Sequence, residues 1–150
     1  MWSFSEKYPN IAEYDAQNSK WSIGQGVYKG SPIIVRKNTS AKLWLGHIEL
    51  SLKLSFAVPL NEPKPGRMPT ANENMALEKI EDVIDVEVSK YFSGIFMMVI
   101  TMGTFKEFVF YVKPGPDIGA LHLGLKSMVG NYEVQCSGVI DKNWKAYKSF

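Results

Sequence analysis

The runs "GIFMMVITM" and "FKEFVFYVK" constrain this chain more than any other feature. Each is apolar at consecutive positions, and a tight turn near Gly103 separates them, so together they read as a hairpin of two apolar strands. Residues 95–102 are apolar on both faces. The run "GIFMMVI" is far shorter than the roughly 20 residues that cross a bilayer, so it is a buried strand and no membrane contact is expected. In "TFKEFVFYV", strand alternation puts Phe108, Phe110 and Val112 on one face, and Phe105, Glu107, Val109 and Tyr111 on the other.

The remaining elements follow in order. "WSIGQGVYKGSPIIVRKN" reads as a β-hairpin over about 21–37, with "KGSP" between two β-rich runs. In "HIELSLKLSF", Ile48, Leu50, Leu52, Leu54 and Phe56 alternate with polar residues, the period of a strand with one wet face that presents Glu49, Ser51 and Lys53. "VPLNEPKPGRMP" holds Pro59, Pro63, Pro65 and Pro69 and must be a loop, since proline removes ladder donors and breaks helices. Thr70 and Glu73 then have capping-box spacing, and Leu77, Ile80, Val83, Ile84, Val88 and Tyr91 line one face of a helix to about residue 91. A second helix is expected over 117–129, closed by "GN", and a last strand over 132–140.

From residue 47 the order is strand, helix, strand, strand, helix, strand. That predicts an α+β fold: an antiparallel sheet with two helices on one face, a ferredoxin-like βαββαβ core over about 47–140, preceded by the hairpin. The expected organisation is one domain over residues 1–150, with an N-terminal arm at 1–20 and a C-terminal anchor at 141–150; a chain of 150 residues buries about 70% of its unfolded surface without staples.

Charge and composition leave several function classes unsupported. A net charge of +2 leaves no electrostatic footprint for a polyanion. A single cysteine cannot form an internal disulfide, and "MWSFSEKYPNIAEYDAQ" lacks the apolar stretch of a signal peptide, so a cytoplasmic location is expected. His47 and His122, the only histidines, have no second ligand at metal spacing, and no metal or cofactor is expected. Cys136 reads as a small buried hydrophobe. Gly24, Gly26 and Gly30 have the wrong spacing for a phosphate loop, and a strand follows them. The first helix carries Glu73, Glu78, Glu81, Asp82, Asp85 and Glu87 against Lys79 and Lys90, which reads as a solvated face. "NTS" at 38–40 is a glycosylation acceptor without meaning in a cytoplasmic chain.

The aromatic strand is the third of the βαββαβ repeat, where RNA-recognition modules stack bases. Only "FVFY" fits their pattern, and Glu107 would repel phosphates, so nucleic acid is disfavoured. Phe105, Val109 and Tyr111 lie on the helix-free face as an apolar patch, which calls for a cover: the N-terminal arm or a second subunit. In "DKNWKAY", a helical turn would be capped by Asp141 and set Trp144 and Tyr147 on one face, with Lys142, Lys145 and Lys148 on another. This is either an anchor sealing the sheet edge or an aromatic-and-basic contact surface.

Trp21 followed by "YKGSPIIVRKN", then "GRMPTANENMALEKIED" with Gly66, Pro69, Glu73, Leu77 and Glu81, then "KEFVFYV" and "DKNWKAY", resemble in order and spacing a bacterial family of unknown function, number six-nine-five. The likeness spans nearly all the chain beyond the arm, and departs from the family at "GRMPTANEN", where a regular Gly-Leu-Pro would stand. It implies no established activity, and a looser likeness to ferredoxin-like regulators of ribonuclease E. The matching polar positions are Arg36, Glu81, Glu107, Tyr111, Asp141, Trp144 and Tyr147. The resemblance thus favours a protein-interaction or regulatory module, or a homodimer, using the helix-free apolar edge, Tyr111 and the C-terminal aromatics. Two alternatives stand beside it. One is a binding protein or enzyme for a small anionic ligand, with Arg36, Glu107 and Asp141 in one pocket and the Arg36 fork on the anion. The other is single-stranded RNA binding through the aromatic strand.

Overall fold

The computed structural model describes residues 8–150. The expected arm at 1–20 therefore falls partly, at 1–7, outside the described residues. The fold is α+β, with one six-stranded antiparallel sheet: β1 (Trp21–Tyr28), β2 (Ser31–Asn38), β3 (Leu52–Pro59), β4 (Gly94–Thr101), β5 (Phe105–Val112) and β6 (Gln135–Ile140), in the order β1-β2-β4-β5-β3-β6. The helices are α1 (Ala71–Tyr91), α2 (Ile118–Lys126) and the short α3 (Lys145–Lys148). Because every neighbouring pair is antiparallel, β3 and β4, joined through α1, run parallel on either side of β5. Likewise β5 and β6, joined through α2, flank β3. This interleaving does not conflict with the ferredoxin-like reading, and the β1–β2 hairpin extends the sheet beyond β4. Its two-residue turn, Lys29 and Gly30, has positive φ at both positions (49° and 80°), the mirror-image turn whose twist matches a hairpin.

The sheet divides the interior into two cores. On the helix side, Leu54, Phe56 and Val58 of β3 and Phe108, Phe110 and Val112 of β5 pack beneath Leu77, Ile80, Ile84 and Val88 of α1 and Leu121 and Leu125 of α2. Phe108, Phe110 and Val112 thus lie where strand alternation puts them. On the other side, Ile95, Met97, Met98, Ile100, Val109 and Tyr111 form a second apolar layer. A β-bulge between Phe96 and Met98 sends both Met97 and Met98 to that side, which widens it.

The second layer is covered by the chain itself. Residues 41–50 fold back across it with Trp44, Leu45 and Leu50, the C-terminal segment adds Trp144 and Tyr147, and Ile11 and Tyr14 close one margin. The expected strand at 47–56 is therefore corrected: β3 begins at Leu52, and residues 47–51 turn. Gly46 has φ 74°, the His47 amide donates to the Trp44 carbonyl at 2.8 Å, and the His47 ring accepts from the Glu49 amide at 3.1 Å. As a result His47 is buried, Ile48 is 73% exposed, and Leu50 points to the face opposite Leu52.

Smaller corrections have local causes. Thr70 caps α1 by accepting from the Glu73 amide at 3.2 Å, but the Glu73 carboxylate accepts from the Glu62 amide at 2.8 Å and from the Tyr132 hydroxyl, so the box is half made. Those bonds tie the proline-rich loop and the β6 approach to the start of α1. Tyr91 is exposed and Phe92, just past the helix, takes the buried position. Helix α2 ends at Lys126, before the expected 129, and the last strand starts at Gln135 rather than 132. Among the described residues, no helix is long and apolar enough to cross a membrane.

Candidate functional site

The seven polar positions separate into two groups and one single residue, and the sheet stands between the groups. Tyr111, Asp141, Trp144 and Tyr147 come together on the helix-free side. Trp144 stacks on Tyr111 with ring centroids 4.4 Å apart and planes at 18°, and its indole donates to the Leu50 carbonyl at 2.8 Å. The Tyr111 hydroxyl donates to Asp141 at 2.8 Å and accepts from the Tyr147 amide at 3.3 Å. Asp141 also accepts from the amides of Lys145 and Ala146 at 2.9 and 3.1 Å, which caps the turn into α3. The Tyr147 hydroxyl donates to the Asn38 carbonyl at 2.9 Å.

Every polar atom in this group is thereby used. Burial lifts the Asp141 carboxyl, but the Ala146 and Lys145 amides and the Tyr111 hydroxyl outweigh it and hold the carboxyl below its ordinary range. Burial and the Asp141 bond raise Tyr111 well above a free tyrosine. Trp144 adopts a left-handed backbone (φ 53°, ψ 44°), costing a non-glycine residue about 1–2 kcal/mol. Burying an indole returns about 4–6 kcal/mol at about 25 cal/mol per Å², so packing wins. The group is a latch: it fastens the C-terminus over the second core. The expectation that Tyr111 and the C-terminal aromatics form an exposed contact surface is corrected, because Tyr111, Trp144 and Tyr147 are all buried within the chain.

Arg36 and Glu81 form the other group, on the helix side. The Arg36 guanidinium pairs with Glu81 and lies 5.3 Å from the Trp21 ring. Glu107 is separate: it shares a face with Val109 and Tyr111, and burial raises its carboxyl while the Lys53 ammonium opposes the rise. Arg36, Glu107 and Asp141 therefore do not line one concavity, and the pocket expected from them is absent; Arg36 and Glu107 sit on opposite faces of the sheet. The Arg36 fork is also engaged by Glu81 rather than open to an anion. Nor does the aromatic strand offer a stacking platform: Phe108, Phe110 and Tyr111 are buried, and Phe105 alone is partly exposed.

The Arg36–Glu81 pair divides two hollows between α1 and the hairpin. One, of about 230 Å³, is lined by Tyr14, Trp21, Arg36, Glu81, Asp85 and Phe96, among others. The other, of about 520 Å³, lies between Ile23, Ile34 and Thr101 on the sheet and Glu78, Glu81 and Asp82 on α1, with Lys106 at its floor. Burial raises Glu81, against the pull of Arg36 and Lys106, and burial together with Asp82 raises Asp85. Lys106 is buried, donates to Asn74 at 3.1 Å, and is lowered by that burial. Replacing Arg36 by alanine is expected to cost about 1–2 kcal/mol in urea denaturation, between the values for exposed and buried pairs, because it strands Glu81 half-desolvated. Adding Glu81→Gln should recover part of the loss.

Sequence reading missed Trp21, Ile23, Asp82, Asp85 and Lys106 as members of this region. The available signals were the spacing of residues 78, 81, 82 and 85 on one helix face and the absence of charge in "WSIGQGVY". The histidines act locally: the His122 ring meets the Val134 carbonyl at 2.6 Å and the His47 ring meets that of Pro9 at 3.2 Å. Burial lifts the Cys136 thiol to about 11, far from a reactive thiolate. Among the described residues no group of three His, Cys, Asp or Glu could hold a metal ion.

No curated protein and no solved structure matches the chain. The family model described as a family of unknown function, DUF695, matches residues 19–150. That match names no activity, and it does not extend to the regulators of ribonuclease E. Its span takes in the hairpin, both cores and the latch, so the chain belongs to the family of unknown function DUF695.

Proposed function

We propose that this protein is a protein-interaction module acting in the cytoplasm, and that its contact surface is the β1–β2 hairpin. One observation carries the reading: β1 is an edge strand of eight residues with no charge, no proline and no bulge, and Ile23, Val27 and Tyr28 are 69%, 75% and 47% exposed on it. Edge strands are ordinarily guarded by charges, prolines or bulges, since their unpaired amides and carbonyls recruit other chains. An unguarded one beside bare aliphatic side chains is a surface that a partner covers. The single cysteine, which can form no internal disulfide, fits a reducing compartment.

The hairpin also projects past the core: β2 pairs with β4 only from Ile34 to Lys37, so its tip is held by β1 and β2 alone. A surface change there should spare stability. The double variant Ile23→Lys, Val27→Lys is expected to melt within about 2 °C of the wild type, as surface substitutions do. In affinity capture with cross-linking from a lysate of the organism of origin, the wild type should retain a discrete partner that the variant loses. Identical captured sets, or none, would count against the reading.

A further inference from the structure

We infer that the partner presents a basic amphipathic helix, which seats on the bare helix-side face of the hairpin alongside α1. This rests on the hairpin being the contact surface, and adds what kind of element fills it.

The layer geometry favours a helix. Strands stand about 4.8 Å apart, so two of them span about 10 Å, the width of one helix with its side chains. In this sheet α1 and α2 cover the four strands β4, β5, β3 and β6. The hairpin adds two further strands at the β4 edge, and among the described residues no helix lies over them. Register puts Ile23, Gln25 and Val27 on the same face as Arg36 and Ile34, which is the face that α1 flanks. The resulting groove of about 520 Å³ has Ile23 and Ile34 on its sheet side, with Lys106 at its floor, and α1 as a helical wall. A strand of eight residues is about 27 Å long, which matches a helix of about 18 residues.

The charge on the wall selects the partner. Glu78, Glu81, Asp82 and Asp85 follow the i, i+3, i+4, i+7 spacing and line the hairpin side of α1. Arg36 answers Glu81, and Lys106, bonded to Asn74, also faces Glu81 and Glu78, which leaves Asp82 and Asp85 as the unanswered part of the wall. Among the described residues no ion pair reaches Glu78, Asp82 or Asp85. Burial and mutual repulsion already lift Asp85, and a cation beside it relieves both. Lysines along one flank of an apolar helix would meet this wall while its leucines cover Ile23, Val27 and Ile34. A polynucleotide would be repelled, and a strand added at the β1 edge would leave Asp82 and Asp85 unanswered. A second copy has no helix of this kind among the described residues: α1 is acidic, α2 has one lysine in nine residues, and α3 is four residues long.

The test uses the full chain, isotope-labelled, and three synthetic peptides of about 18 residues: a Leu/Lys amphipathic helix, the same composition scrambled, and a Leu/Glu amphipathic helix. The Leu/Lys helix should shift the amides of Ile23, Val27, Ile34, Glu78, Asp82 and Asp85. It should bind about tenfold or more tighter than either control, lose about tenfold on Asp82→Lys with Asp85→Lys, and weaken with salt. Equal binding of the scrambled peptide, shifts elsewhere, or an extended peptide along β1 would overturn the inference. So would light scattering that finds a dimer broken by Ile23→Lys. The last two outcomes would overturn the helix while leaving the hairpin as the contact surface. A captured partner indifferent to Ile23→Lys and Val27→Lys would remove both.

Discussion

Trp144→Ala is expected to be among the most destabilising single substitutions in this chain, costing about 3–5 kcal/mol. The indole is fully buried, stacks on Tyr111, meets Tyr147 edge-on at 6.3 Å and satisfies the Leu50 carbonyl. Alanine removes all of these and leaves a cavity between the C-terminal segment and residues 41–50. Relief of the left-handed backbone is too small to compensate, since alanine has the same aversion to that region as other L-residues. At about 2–4 °C per kcal/mol for a chain of this size, the melting temperature should fall by about 10 °C. A change below about 3 °C would mean that the C-terminus is not fastened as described. Trp144→Phe, which keeps a ring on Tyr111 and loses the indole donor, should recover about half.

Asp141→Ala is the second, at about 2–3 kcal/mol, because it leaves the buried Tyr111 hydroxyl without its acceptor and two α3 amides uncapped. Its pH dependence isolates the cause. The folded carboxyl is held below its ordinary range, so its contribution is complete above the unfolded value of about 3.9 and is lost as pH falls through the folded value. Glu81, Asp85 and Glu107 are raised and act in the opposite sense, gaining stability as they protonate. All three are common to wild type and Asp141→Asn, so the difference between the two curves reports Asp141. That difference should be constant above about pH 5 and shrink below about pH 4. A gap independent of pH would show that the carboxylate charge does nothing for the latch. Tyr111→Phe keeps the stack and breaks only the bridge, and should cost about 1–2 kcal/mol.

The fold was legible where one physical signal dominated. The proline run, the Thr70 cap and the two-sided apolar strands each allow few conformations, and α1, β4 and β5 came out at or within a residue or two of their bounds. The segment 47–51 misled because "HIELSLKLSF" has strand periodicity throughout, while Gly46 and the His47 ring reverse the chain locally. Alternation says which residues share a face only if the segment is extended.

The candidate residues were legible as residues and not as a site. Asp141, Trp144 and Tyr147 stood out because aromatic and capping groups cluster there, yet the same clustering seals a core or makes an interface. The decision needed Tyr111 and Leu50, which only folding brings beneath Trp144. Arg36 and Glu81 lie 45 residues apart, and no local pattern pairs them. The helix carboxylates looked like a solvated face because their sequence says nothing of the uncovered hairpin beside them.

The most direct measurement places a photo-cross-linking residue, one position at a time, at Gln25, Asp82, Lys126 and Lys148 and irradiates cells of the organism of origin. The hairpin and the α1 flank are predicted to yield the same discrete adduct from positions 25 and 82, with none from 126 or 148. Adducts from position 148 with none from 25 or 82 would contradict the account, moving the contact surface to the C-terminal segment described here as a latch.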